Sequence, residues 1–189
     1  MESVEYKFKT MLDELDRPST NHYAGDKQIY YLTFPPNDAL VVKRKVETLT
    51  KLAEYTGWTV HVVSIAQVIY DFFRNNPDRE IWLDQEQYYD ALTIVSLFED
   101  LGASVRNQRI VENAILAKQA ELRGLKKAIL LITDLECLHP YSRFGPIEQQ
   151  LYSDIRMPIA VLYPGQLTGS SLDFLSIYPP DGSYRSKHL

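Results

Sequence analysis

The sequence predicts an α/β fold, with an open, mainly parallel sheet of about four or five strands and helices on both faces. Residues 128–133 and 158–163 are short, continuous apolar runs without alternation, which is typical of strands covered by helices on both sides. Earlier in the chain, segments of strand composition alternate with amphipathic helical segments. Because parallel neighbours need crossover connections, we expect the two apolar runs to be central parallel strands.

Apolar spacing places the first two elements. Phe8, Leu12 and Leu15 recur at helical spacing and predict an N-terminal helix over residues 4–15. The segment 28–34 is β-branched and aromatic and ends at two prolines. It therefore predicts a first strand.

Capping residues place the next three elements. Asn37 or Asp38 can cap a helix that Gly57 closes. Residues 58–63 have the composition of a second strand. Ser64 is followed three residues later by glutamine, which is the spacing of a capping box, and predicts a third helix.

A helical hairpin is predicted as an insertion over residues 77–125. Asp84 is placed to cap the first arm, and Gly102 is expected to end it. The second arm is expected over residues 105–125. Acidic residues dominate the stretch 78–100 and basic residues follow it, so the two arms are predicted to be complementary in charge.

The C-terminal segment, residues 164–189, is rich in turn-forming residues. Asp181-Gly182 lies between two short extended pieces and predicts a hairpin over residues 178–184 at an edge of the sheet. No internal repeat interrupts the pattern, and 189 residues suit a single domain. We therefore predict one α/β domain over residues 1–189.

Composition excludes several classes of protein. The longest apolar runs are far shorter than the roughly 20 residues of a membrane helix, and the N-terminus lacks the features of a secretory signal. A net charge of −5 argues against nucleic-acid binding as a main role, and the basic second arm is the alternative contact for nucleic acid. Cys137 is the single cysteine, and motifs for phosphate loops, dinucleotides, hydrolase nucleophiles or metals are absent from the sequence. We expect a cytoplasmic protein without a cofactor or metal.

The loop that follows the predicted strand 128–133 holds the catalytic candidates. Asp134 and His139 are suited to acid and base roles, with Cys137 as a nucleophile. The alternative is structural: Asp134 caps the following turn, His139 is a solvated ring, and Cys137 is a small buried apolar group. The structural interpretation is favoured.

Residues that suit contact with a partner lie near the same end of the predicted sheet. Arg143 can hold a phosphate, a carboxylate or a protein partner through bidentate hydrogen bonds, or it can form an internal salt bridge with Asp134 or Glu136. Aromatic residues beside arginine have the composition of interface hot spots. The partner-binding candidates are Arg143, Tyr163, Tyr178, Tyr184 and Arg185. Pro164 and Gly165 are expected to form a tight structural turn in which glycine supplies a positive φ.

Several segments resemble the BrxB family of bacterial BREX phage-defence systems. They are residues 30–40, 130–133 with 139–143, 158–165, 171–172 and 184–185. The resemblance spans roughly residues 28–189, and the Pro158 to Gly165 segment is its most specific part. Pro35-Pro36 departs from the family's more usual tyrosine and aspartate, and the helical insertion is similar only in kind.

This resemblance implies a non-catalytic binding or scaffolding member of a cytoplasmic assembly that distinguishes host from phage DNA. It implies other BREX proteins as partners, with the alkaline-phosphatase-like PglZ component as the first candidate. The alternative is a small hydrolase or nucleotide-binding protein that uses Asp134, His139 and Arg143.

Overall fold

The computed structural model describes residues 2–17, 29–90, 93–168, 171–181 and 186–189, with the backbone alone for residues 168, 171 and 179–181. The helices are α1 Val4–Leu15, α2 Ala39–Tyr55, α3 Ile65–Asn75, α4 Arg79–Glu86, α5 Ile94–Asn107, α6 Ile110–Glu121 and α7 Phe144–Leu151. The strands are β1 Ile29–Phe34, β2 Thr59–Ser64, β3 Ala128–Thr133, β4 Ile159–Pro164, β5 Leu167–Thr168, β6 Ser171–Phe174, β7 Tyr178–Asp181 and β8 Lys187–His188. Short 3₁₀ turns occupy Pro36–Asp38 and Leu135–Leu138.

A five-stranded sheet forms the centre of the fold in the order β2-β3-β4-β1-β8. Every pairing in it is parallel. All residues of β1, β3 and β4 are buried, whereas β2 lies at an edge and only Val63 of its residues is buried. The predicted fold class is confirmed, and the two apolar runs are central strands.

Helices cover both faces of this sheet. Successive side chains of β3 point to opposite faces, and each set is buried against different helices. On one face, α1 and α2 pack Phe8 and Leu49 into a buried cluster with Ile129. On the other face, α3, α5, α6 and α7 pack around Leu130 and Ile132. Burial of both faces explains why the central strands are apolar at every position.

The helical insertion differs from its prediction, because residues 77–125 contain three helices, α4, α5 and α6, instead of two. Helix α4 begins at Arg79, so Asp84 lies inside a helix instead of capping one. Gly102 also lies inside a helix, because α5 continues to Asn107. A Cβ atom on Gly102 would lie 2.9 Å from the Tyr141 carbonyl oxygen, so this glycine permits close packing between helix and loop.

The break between the two arms of the hairpin lies later than expected. Arg109 has a φ of 50°, in the left-handed region, and separates α5 from α6. Residues 105–107 therefore belong to α5, and only α6 corresponds to the predicted second arm. Elsewhere the capping prediction at Ser64 is confirmed, since its hydroxyl accepts a hydrogen bond from the Gln67 amide. Asp38 precedes α2 but makes no side-chain capping bond.

The C-terminal segment pairs differently from the predicted hairpin. β7 pairs antiparallel with β6, and β5, β6 and β7 form a small second sheet. Leu172 and Phe174 of β6 are buried. Their apolar alternation, which the predicted elements leave out, forms the strand that pairs with β7. The edge of the main sheet is instead occupied by β8, which pairs parallel with β1. The turn after Asp181 lies outside the described residues.

Among the helices in the described part of the chain, none combines the length and apolar character that crossing a bilayer requires.

Candidate interaction site at the strand ends

Asp134 ties three elements together at the carboxyl end of the sheet. Its carboxylate accepts hydrogen bonds from Ser64 at 2.5 Å and Thr133 at 2.9 Å, and it pairs with Lys43 Nζ of α2 at 2.5 Å. Its backbone is left-handed, with a φ of 57°. Burial alone would raise the pKa of Asp134, but these three partners hold it below its ordinary value. The carboxylate is therefore a charged structural link between β2, β3 and α2.

Cys137 is poorly suited to act as a nucleophile. Burial raises the pKa of its thiol, and the nearby charges of Glu136 and Asp134 raise it further. A raised pKa keeps the sulfur protonated at neutral pH, whereas reactive cysteines have a lowered one. The structural interpretation of Cys137 agrees with this environment.

His139 and Arg143 meet at Tyr178 of β7. The His139 Nδ1 atom contacts the Tyr178 hydroxyl. The Arg143 guanidinium lies over the Tyr178 ring, with 4.3 Å between Cζ and the ring centroid. Asp134 and His139 are thus held by different partners, and the ion pair of Asp134 is with Lys43.

A cavity adjoins Tyr178 and has a volume of about 330 Å³. We call it the Arg143 cavity. Its wall is formed by α5, α6, the loop before α7, α7 itself and Tyr178. The lining residues are Val105, Arg106, Val111, Glu112, Pro140, Tyr141, Ser142, Arg143, Pro146, Ile147, Gln150 and Tyr178.

A second and larger concavity, of about 740 Å³, lies between α3, α4 and α5. We call it the aromatic groove. Phe73 packs against Trp82 with ring centroids 5.7 Å apart and against Tyr141 with centroids 5.0 Å apart. Tyr141 lines both concavities, so the aromatic groove and the Arg143 cavity are neighbours on one surface.

Sequence reasoning missed the aromatic groove. Phe73, Trp82 and Tyr141 lie in three different elements, and no local pattern in the sequence brings them together. One signal was available, because tryptophan on a helix with a weak apolar stripe is unusual unless its ring packs against another element.

The other predicted contact residues do not lie together on this surface. Tyr163 is only 4% exposed and packs against Tyr31 and Phe174, so it lies in the core beneath the surface. Tyr184 and Arg185 lie outside the described residues.

Pro164 ends β4, and Gly165 follows it as predicted, but the glycine does not serve to supply a positive φ. A Cβ atom on Gly165 would lie 2.0 Å from the carbonyl oxygen of Asp173. The Gly165 amide donates to Phe34 O at 2.9 Å. Glycine is needed here because β6 passes directly against the end of β4.

Metal binding finds no support in the side-chain arrangement. Within the described ranges, no group of three or more histidine, cysteine, aspartate or glutamate side chains is placed to hold a metal ion.

Comparison with known protein families gives one match. Residues 61–189, more than half of the chain, match the model of a family described as BREX protein BrxB. The matched range includes all residues that line the Arg143 cavity and the aromatic groove. No curated protein and no solved structure matches the chain.

Proposed function

Because the chain belongs to the BrxB family of BREX proteins, we propose that it is a non-catalytic binding or scaffolding component of a BREX-type anti-phage defence complex. The observation that carries this proposal is the surface on which Arg143 stacks on Tyr178 beside two adjoining concavities. We place the partner interface there.

The chemistry of this surface suits protein recognition. Hot spots in protein interfaces are enriched in tryptophan, tyrosine and arginine, and Trp82, Tyr141 and Arg143 all line the two concavities. Apolar residues of the neighbouring helices are exposed around the aromatic groove, including Tyr70 and Leu83. Contiguous exposed apolar surface of this kind marks sites of association.

The partners of the catalytic candidates support a non-catalytic role. The Asp134 carboxylate is fully engaged by three donors, and the pKa of Cys137 is raised. His139 contacts Tyr178 instead of the acid. None of these groups is arranged to activate another for chemistry, so the alternative of a hydrolase or nucleotide-binding enzyme is less well supported.

The partner is proposed to be another BREX protein in the cytoplasm, and the alkaline-phosphatase-like PglZ component is the first candidate. Family membership supports the association with BREX proteins in general. The choice of PglZ within this group rests on what the family resemblance implies.

Co-purification tests this function directly. The tagged chain is expressed with the complete BREX gene set, as wild type and as Arg143→Glu. The matched control is Lys51→Glu, which reverses an exposed charge on α2, on the opposite face of the sheet. Wild type and control should recover a stoichiometric BREX partner that Arg143→Glu loses; recovery of no BREX protein by the wild type would contradict the proposal.

A further inference from the structure

Glu112 is a largely buried residue that lines the Arg143 cavity. It lies on α6, is only 4% exposed and lines the cavity. No hydrogen bond or ion pair joins its side chain to any residue in the described part of the chain. Its carboxylate oxygens keep contact with the cavity, so a cationic group that enters the cavity can pair with them.

The two arginines that line the cavity make other contacts. Arg106 donates to the Tyr141 carbonyl oxygen at 2.5 Å, and Arg143 stacks on Tyr178. Arg106 is exposed, whereas Val105, Val111 and Ile147 are buried with Glu112. The cavity therefore has a cationic mouth and an apolar interior that contains one carboxylate.

We propose that the Arg143 cavity receives a single basic side chain, lysine or arginine, from the protein partner. This inference rests on the proposed function and specifies the chemistry that the partner must present. The ammonium or guanidinium group pairs with Glu112, and its aliphatic stem packs against the three apolar walls, as long basic side chains do when they cross apolar surface.

Size and charge favour this occupant. A volume of about 330 Å³ lies at the lower end of the range of ligand pockets, which suits one side chain better than a folded element. An anionic group would be repelled by Glu112 in the interior. The arginines at the mouth favour acidic residues beside the entering one, so the partner segment should carry a basic residue flanked by acidic residues.

A titration of the full chain with small probes tests the site without any partner. N-acetyl-arginine amide and N-acetyl-lysine amide are added to the ¹⁵N-labelled protein and followed by amide chemical shifts, with N-acetyl-norleucine amide as the neutral probe. The cationic probes should give saturable shifts at Val111, Glu112 and Ile147, and the neutral probe should bind at least tenfold more weakly. Equal binding of cationic and neutral probes, or no binding of either, would overturn the inference.

Two variants separate the role of Glu112 from general effects. Glu112→Gln keeps the shape of the side chain and should weaken the cationic probes at least tenfold. Glu121→Gln is the control on the same helix, because Glu121 is exposed and pairs with Lys118 at 2.6 Å. Thermal unfolding of each variant checks that the fold is retained; an unchanged affinity in folded Glu112→Gln would refute the assignment.

Co-purification of the same variants distinguishes this inference from the proposed function. A BREX partner recovered equally by wild type and Glu112→Gln would leave the proposed function in place and remove the inference. Binding of the cationic probes without recovery of any BREX protein would support the site and contradict the proposed function. Loss of the partner in Glu112→Gln but not in Glu121→Gln would support both.

Discussion

The guanidinium group of Arg143 lies over the ring of Tyr178, at 4.3 Å from its centroid. The hydroxyl group of the same ring contacts His139, so one side chain of β7 fixes both ends of the loop 139–143. This loop lies between β3 and α7 and lines the Arg143 cavity. The position of the small second sheet thus determines the geometry of the surface where we place the partner.

Two substitutions of Tyr178 should separate its ring from its hydroxyl. Tyr178→Phe keeps a ring beneath Arg143 and should reduce partner affinity less than fivefold. Tyr178→Leu removes the cation–π contact, which is worth about 0.5–2 kcal/mol, and should reduce affinity more strongly. Calorimetric titration with the purified partner measures both, with Ile177→Ala as the exposed neighbouring control. Equal losses in the two variants would assign the effect to the hydroxyl group and His139.

Gly165→Ala is expected to destabilise the protein by about 1–3 kcal/mol, as overpacking does in a well-packed region. The added methyl group would lie 2.0 Å from the Asp173 carbonyl oxygen and 2.8 Å from the Tyr163 ring, so β6 must move away from β4. Urea unfolding measures the change. Gln166→Ala is the control, since its exposed side chain can be removed without affecting the backbone bonds to Asp173. Equal stability of the two variants would mean that β6 shifts without cost.

The parts of the fold that the sequence predicted are those with a local signal. Strands β3 and β4 are apolar at every position because both faces are covered, and α1 has a clear apolar stripe. Gly102 was misassigned because its role depends on contact with Tyr141, 39 residues later in the chain and in another element. No local pattern reports such a contact.

The candidate site was predictable only in part for the same reason. Arg143 and Tyr178 were selected from their residue types and their places near strand ends, and the structure brings them together. The aromatic groove unites residues of three helices and a loop, and Glu112 looks like any other polar helix residue in the sequence. The position of Glu112 in the wall of the cavity, where it makes no ion pair, is a property of packing alone.

Asp134→Asn should lower the free energy of unfolding by about 1.5–3 kcal/mol at pH 7, the usual range for a hydrogen bond to a charged group. Asparagine tolerates the left-handed backbone, so the change mainly removes the charge that pairs with Lys43. Because the folded pKa of Asp134 is lowered, its contribution is complete above the unfolded pKa and is lost as the pH falls through the folded pKa.

The difference between wild type and Asp134→Asn should therefore shrink in urea unfolding experiments as the pH is lowered below about 3.9, the ordinary aspartate value. Lys43→Met provides the second arm of a double-mutant cycle. Additive effects of the two substitutions would show that the exposed lysine contributes little and that Ser64 and Thr133 carry the interaction.

The buried carboxyl group of Glu148 should make the folded state less stable as the pH rises. Burial raises its pKa, although the hydrogen bond from Tyr31 at 2.5 Å lowers it in part. Above about pH 4.3 the unfolded chain releases a proton that the folded protein still holds, so stability falls until the pH exceeds the raised folded value. Each unit of the raised pKa corresponds to about 1.4 kcal/mol.

Glu148→Gln can still accept from Tyr31 and should be more stable than wild type at pH 8 but not at pH 4, whereas the exposed control Glu99→Gln should show no such difference. Lower stability of Glu148→Gln at pH 8 would mean that the bond between Tyr31 and the charged carboxylate outweighs the cost of burial.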